Sequence, residues 1–313
     1  DEDFVQEMFI ASTHDNVLFI TNKGVMYKLK CYEIPEGSKQ SRGVNAVNLL
    51  PLTDGEKIAA MIKTCGFDSG KFIVMVTKNG KIKRTCLADY RNVRKNGLIA
   101  IGLDEGDEIA GVRMTDGSAQ LITATKDGYA IRVEEDKIRP LSRSAHGVRV
   151  IKLRDGDCVV SIARVREGAT VLTVTDKGLG RRVSLDNYRI QGRGGYGLKN
   201  YPVSAEKGHV CGIKVVDDTD DIILISDDGI IIRIRANDVR VMGRYASGVK
   251  VMRVQGDSRV VAFTRAEHDD NADIEKIEQP SEEELERDIA EAADMEKNEV
   301  ITEEPVPDDD NEE

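Results

Sequence analysis

The sequence repeats itself about every 50 residues, and that period decides what the chain can fold into. Segments 17–30, 72–86, 121–134, 171–184 and 222–235 share one plan: an apolar run, a short polar turn ending in glycine, then a second run. The turn glycines Gly24, Gly80, Gly128, Gly178 and Gly229 follow one another at 56, 48, 50 and 51 residues. They close turns such as Lys78-Asn79-Gly80 and Asp227-Asp228-Gly229. Asn-Gly and Asp-Gly between β-branched runs mark a tight hairpin, because the turn requires positive φ.

Other positions keep register with that glycine. Ten residues on stands an apolar or aromatic residue in every repeat: Ile34, Tyr90, Ile138, Tyr188 and Val239. A second glycine follows at 19, 17, 19, 19 and 19 residues, at Gly43, Gly97, Gly147, Gly197 and Gly248. It opens another apolar stretch, and a polar turn such as Asp155-Gly156 leads into a closing strand. Four strands per repeat leave no room for a long helix. An all-β body of about five four-stranded blades, arranged as in a propeller, is the fold this pattern predicts.

The tail is a different material. Of the 313 residues, 266–313 hold 22 acidic groups and three basic ones (Lys276, Arg287, Lys297), a net of −19. The body, 1–265, is then +8. From Ala266 onward no β-rich run occurs, and such a segment buries too little apolar area to offset chain entropy, so it is expected to be largely disordered. Ser281-Glu282-Glu283-Glu284 is a capping box, with Leu285 and Ile289 one turn apart behind it, and predicts a short, fraying helix there.

The positive charge of the body follows the repeat. Four residues past each turn glycine lies a cation: Lys28, Arg84, Arg132, Arg182 and Arg233. A lone cation in a strand ordinarily sits on a solvated face or pairs with a carboxylate, but period-2 geometry puts these five on equivalent faces. The arcs from turn glycine to second glycine contain 22 Lys and Arg against eight Asp and Glu, while the rest of the body is net acidic. Confined to one part of every blade, this charge makes a basic stripe along a rim, the footprint of binding dominated by phosphate contacts. The candidate contacts are Lys28, Lys30, Lys39, Arg42, Lys81, Lys83, Arg84, Arg91, Arg94, Lys95, Arg132, Arg143, Arg181, Arg182, Arg189, Arg193, Arg233, Arg235, Arg240 and Arg244. With no Trp and 4% aromatics, stacking on single-stranded bases is disfavoured and a duplex read by charge and shape fits better.

Motifs that would carry chemistry are weak. Gly192-Arg193-Gly194-Gly195-Tyr196-Gly197 matches G-x-G-x-x-G, but it lies between β-rich stretches rather than in a βαβ unit. Asp68-Ser69-Gly70-Lys71 lacks the first P-loop glycine, and neither G-x-S-x-G nor H-E-x-x-H occurs. Five scattered cysteines without a C-x-x-C pair, and four scattered histidines, argue against a disulfide framework or zinc and suit a reducing cytosol. No apolar run approaches the ~18 residues of a membrane span. The acidic start Asp1-Glu2-Asp3, without an initiator Met, reads as a piece of a longer protein.

Five β repeats with G-x-x-x-[KR] strands, a glycine-marked basic loop and an acidic tail resemble the C-terminal domain of the bacterial DNA gyrase A subunit. The stretches 11–15, 47–52 and 241–248 are close to that family's. The resemblance covers residues 1 to about 265, and the tail by composition. It implies a six-bladed β-pinwheel that binds duplex DNA on its outer rim and wraps it, in the bacterial cytoplasm at the nucleoid. It also implies as partners the rest of the gyrase A subunit and the gyrase B subunit, in an A2B2 heterotetramer. ATP and Mg would be used elsewhere in that assembly, and no cofactor or catalytic residue falls on this chain. The family's heptapeptide Gln-Arg-Arg-Gly-Gly-Lys-Gly has one partial echo, Gln191-Gly192-Arg193-Gly194-Gly195-Tyr196-Gly197, and the first blade is expected to lie upstream of residue 1. The related C-terminal domain of the topoisomerase IV A subunit is the nearer alternative, although the long acidic tail favours gyrase. A protein-binding β-propeller scaffold, whose rim charge would be incidental, is an alternative of another class.

Overall fold

The computed structural model describes residues 11–37, 43–269, 273–277 and 279–302. In the first repeat β1 (Asn16–Thr21) and β2 (Val25–Lys30) form the hairpin, and β3 (Ile58–Thr64) flanks β1. The second repeat supplies β4 (Phe72–Thr77), β5 (Lys81–Cys86), the two-residue β6 (Leu98–Ile99) and β7 (Ile109–Thr115). The third supplies β8 (Gln120–Thr125), β9 (Tyr129–Glu134), β10 (Val148–Arg149) and β11 (Val159–Arg164). The fourth supplies β12 (Thr170–Thr175), β13 (Leu179–Ser184), β14 (Leu198–Lys199) and β15 (Val210–Val216). The fifth supplies β16 (Asp220–Ser226), β17 (Ile231–Arg235), β18 (Val249–Lys250) and β19 (Val260–Glu267). All pairings between these strands are antiparallel, and before residue 266 the only helical pieces among the described residues are single 3-10 turns. The β-propeller of five blades predicted from the repeat is the fold.

The short strand opened by the second glycine does not stay in its own repeat. It pairs with the hairpin of the preceding one: β6 with β2, β10 with β5, β14 with β9 and β18 with β13. Four sheets therefore have four strands, the last borrowed from the next repeat, and the fifth, β17-β16-β19, has three. The sequence pattern finds this strand but assigns it to the wrong blade, because periodicity carries no information on which edge a segment reaches.

The core is a series of layers between blades. Leu18, Ile20 and Met26 pack with Ile73, Met75 and Tyr90, and the last layer joins Leu172 and Val174 to Ile222, Leu224 and Phe263. The first strand of each hairpin is covered on both faces, so it reads as a nearly continuous buried run. The turn glycines serve the borrowing as well as the hairpin. Gly178 has φ +75°, and a Cβ there would lie 2.1 Å from the carbonyl oxygen of Met252, just beyond β18. Gly229 has φ +84° but open space beside it, where a borrowed strand would pass.

The acidic segment departs from expectation. A helix, α1 (Glu282–Thr302), runs for 21 residues rather than a turn or two. Its capping box forms as predicted: the Ser281 amide donates to the Glu284 carboxylate (2.9 Å), and the Glu284 amide to Ser281 Oγ (3.3 Å). Its apolar side, Leu285, Ile289, Ala292 and Ala293, lines an open cleft together with Val241, Met242 and Ala246 of the fifth repeat. Ahead of it, the Glu275 amide donates to the Arg233 carbonyl on the free side of β17 (2.7 Å), and Ile277 packs on the last core layer. Residues 270–272, 278 and 303–313 lie outside the described residues, as do Lys39 and Arg42.

Candidate nucleic-acid interface

Each hairpin is followed by a 3-10 turn, and in the second to fifth repeats a loop then runs to the second glycine. The loops of the last three repeats lie beside the preceding hairpin. Amides of Leu141, Gln191 and Met242 donate to the carbonyls of Arg84, Arg132 and Arg182 at 2.8 Å each. These loops leave carbonyls without sheet partners, and side chains must supply the donors.

That need claims most of the cations four residues past the turn glycine, and corrects their reading as rim contacts. Arg182, 4% exposed, donates to the Val239 carbonyl (2.7 Å) and pairs with Asp218. Arg132 is half-buried and donates to the carbonyls of Leu185 (2.7 Å) and Tyr188 (3.0 Å) and to Gln120. Arg84, 7% exposed, donates to the Gly117 carbonyl, stacks on the Phe72 ring and lies 3.8 Å from Glu135. Arg233 pairs with Asp221 at 2.8 Å and donates to the Glu267 carbonyl. Lys28 donates to the Arg91 carbonyl (2.7 Å) above the Phe67 ring.

Two more candidates are wholly buried one position earlier. Lys83 donates to the carbonyls of Ala100 (2.6 Å), Ser142 (3.1 Å) and Arg143 (2.5 Å). Arg181 donates to those of Gly243 (2.7 Å), Ala246 (2.5 Å), Asn200 and Arg244. Burial, and then the Arg143 charge, pull the Lys83 ammonium down to about 7; burial brings Arg181 to about 10. Neither side chain can reach a ligand outside the fold. Lys81 is drawn to Asp104 at 2.5 Å, and Lys30 donates to the His14 carbonyl.

The remaining candidates form the rim. Arg91, Arg94 and Lys95 are exposed in the second repeat, Arg189 and Arg193 in the fourth, and Arg235 and Arg240 in the fifth. Arg143 and Arg244 are half-buried, with Arg244 held on the Lys199 carbonyl (2.7 Å). Beside them stand cations that the arcs, ending at the second glycine, leave out. Arg149, Lys199 and Lys250 occupy the borrowed strands two residues past that glycine; Lys152, Arg154 and Arg253 follow. The recurring Gly-x-[RK] was the available signal.

The G-x-G-x-x-G loop is part of this rim. Its Gly194 amide donates to the Val150 carbonyl and its Gly195 carbonyl accepts from the Lys152 amide, both at 2.8 Å. Arg154 lies over the rings of Tyr129 (3.4 Å) and Tyr196 (5.1 Å). With a β-hairpin before it and β14 after it, no helix N-terminus is available to a pyrophosphate. Among the described residues no three His, Cys, Asp or Glu side chains are grouped as metal ligands, and no helix is long and apolar enough to cross a membrane. All five cysteines are unpaired, and burial pushes the Cys211 thiol up to about 12, an inert group.

The profile of the family described as "DNA gyrase C-terminal domain, beta-propeller" matches residues 15–65, 71–116, 119–166, 169–217 and 220–267, one segment per blade. The DNA gyrase A subunit of Clostridium acetobutylicum is 49% identical over 282 residues, covering 90% of this chain and 34% of that protein. That of Salmonella typhimurium is 36% identical, covering 89% of this chain and 32% of that protein. The chain thus spans about a third of the length of the curated relatives it matches. Among solved structures, the C-terminal domain of DNA topoisomerase IV superposes with TM-score 0.74 at 25% identity, covering 91% of this chain and 84% of that one. A DNA gyrase A C-terminal domain gives TM-score 0.73 at 25% identity, covering 84% and 89%.

Proposed function

The chain belongs to the DNA gyrase C-terminal domain family, and from that we propose that it binds duplex DNA along the loop rim and wraps it, as part of a gyrase A subunit. The observation that carries this reading is the set of cations repeated at the loop ends of consecutive repeats, with Arg149, Arg193 and Lys250 exposed and Arg143, Lys199 and Arg244 half-buried beside them. Cations spaced along a rim match a phosphate backbone better than they match a compact ligand. Wrapping would serve ATP-dependent negative supercoiling by an A2B2 assembly with the gyrase B subunit, whose cofactors, ATP and Mg, act outside this chain. The A subunit of gyrase is favoured over that of topoisomerase IV by the sequence relatives, which are gyrase subunits, at 49% identity in Clostridium acetobutylicum.

Changing Arg189 and Arg193 to Glu tests the reading, since both are exposed on the loop rim. Duplex binding should weaken by a similar factor for unrelated sequences. The slope of log K against log salt should fall by about 0.9 for each phosphate no longer engaged. Binding by the double variant that matches the parent at low salt would place DNA elsewhere; a parent that shows no salt-dependent retention on duplex would favour a protein-binding scaffold.

A further inference from the structure

The loops of the third, fourth and fifth repeats end alike, in a residue followed by a glycine of positive φ: His146-Gly147 (+89°), Tyr196-Gly197 (+72°) and Ser247-Gly248 (+85°). In the fifth, something occupies this end. The Ser247 amide donates to both carboxylate oxygens of Asp288 on α1 at 2.8 Å, and the Gly248 amide to one of them at 3.4 Å. Two successive amides converging on one anion make a nest. The two oxygens of a carboxylate resemble the non-bridging oxygens of a phosphodiester in charge and in hydrogen-bond demand.

The frame behind the nest explains its direction. Arg181 takes the carbonyls of Gly243, Arg244 and Ala246 from inside the fold, and Tyr201 Oη donates to that of Ser247 (2.5 Å). With its carbonyls held inward, the loop presents the last two amides to the outside. In the third repeat Lys83 holds the Ser142 and Arg143 carbonyls in the same way. In the fourth, the Gly195 carbonyl accepts from the Lys152 amide and the Gly194 amide donates to the Val150 carbonyl, which fixes the loop from the backbone. Among the described residues none accepts from the amides of His146, Gly147, Tyr196 or Gly197. Each nest also has a cation four residues before its glycine and another two residues after: Arg143 and Arg149, Arg193 and Lys199, Arg244 and Lys250. The second repeat keeps the positive φ, at Gly97 (+80°), but not the rest of the pattern. It has Val93 and Ile99 at those places, and its Gly97 amide is spent on the Arg94 carbonyl (3.0 Å).

We propose that the amide pairs 146–147 and 196–197 are sites for single phosphodiester groups of a duplex, and that the pair 247–248 is a third, closed by Asp288 of the chain's own acidic helix. The inference rests on the DNA-binding reading and adds to it the atoms that take the phosphates.

Amide spectra of the isotopically labelled chain, titrated at low salt with a mixed-sequence 16-base-pair duplex, test it directly. The amides of His146, Gly147, Tyr196 and Gly197 should shift and gain protection from exchange. Those of Ser247 and Gly248 should respond only in the Asp288→Ala variant. That variant removes a carboxylate from the loop end and opens the third amide pair, so it should bind the duplex more tightly than the parent at low salt, and the difference should shrink as screening grows. The proposal is overturned if the four amides stay still at saturating duplex while side-chain signals of Arg193 move, or if the Ser247 and Gly248 amides stay still in the Asp288→Ala variant. Absence of any duplex-induced shift in the whole spectrum would instead overturn the DNA-binding reading itself.

Discussion

Lys83 shows how a residue type can be right and its role wrong. Its ammonium is buried with Arg143 and Tyr90 near it, and both burial and the Arg143 charge favour the neutral amine, with a pKa of about 7. In the unfolded chain the value is ~10.4. Between those pH values the unfolded chain holds a proton that the folded chain has released. Stability should therefore rise with pH across that window, by at most ~1.4 kcal/mol per pH unit, and show no Lys83 contribution to the slope below or above it. Urea unfolding of the parent and of Lys83→Met from pH 6 to 10 checks this: the variant should lose that part of the slope. The cations were legible in the sequence because their register is strict. Their burial was not, because alternation sorts side chains onto two faces and cannot say that a neighbour covers both. Only loop positions such as Arg193, which no strand packs over, were readable as rim from the pattern alone.

The hairpins were the most legible elements, since every turn glycine predicted from Asn-Gly or Asp-Gly spacing has the positive φ such a turn needs. What the sequence could not reveal is the second demand on the same glycines. Gly178 meets the backbone of the borrowed strand, whereas Gly229 meets open space at nearly the same φ. Both should lose ~1–2 kcal/mol to left-handed strain when changed to Ala. Gly178→Ala should cost a further ~1–3 kcal/mol, because a rigid carbonyl occupies the methyl's place. Comparing the two variants by denaturant midpoint isolates the borrowed contact; equal losses would mean that the sheet yields there at no cost. The helix α1 was half legible. Its capping box is a local signal, but the cleft it lines with Val241 and Met242 joins residues about forty positions apart in the chain.

At the scale of the whole molecule, a tail of net −19 begins beside a rim of positive charge, and its first described stretch is fastened to the fifth repeat. Gln279 donates to the Asp238 carbonyl and accepts from Arg240, and Asp288 closes the loop end beyond. If the rim binds duplex as proposed, a segment so placed would compete with DNA for Arg240 and for the amides of the fifth loop. Cutting the chain after Asp269, beyond the end of β19, should tighten duplex binding at low salt, and the difference should shrink as screening grows. Equal affinities of the two forms at low salt would leave the tail without a part in binding.

Since each of the last four described repeats lends a strand to the one before it, the chain is built like a row of interlocked links. Inserting or deleting one link changes the number of blades but not the two ends. At the far end of the described repeats the last sheet has three strands and an unfilled edge. Blade number is thereby freed from the chemistry of closure, and it can drift between related proteins while the joints stay the same.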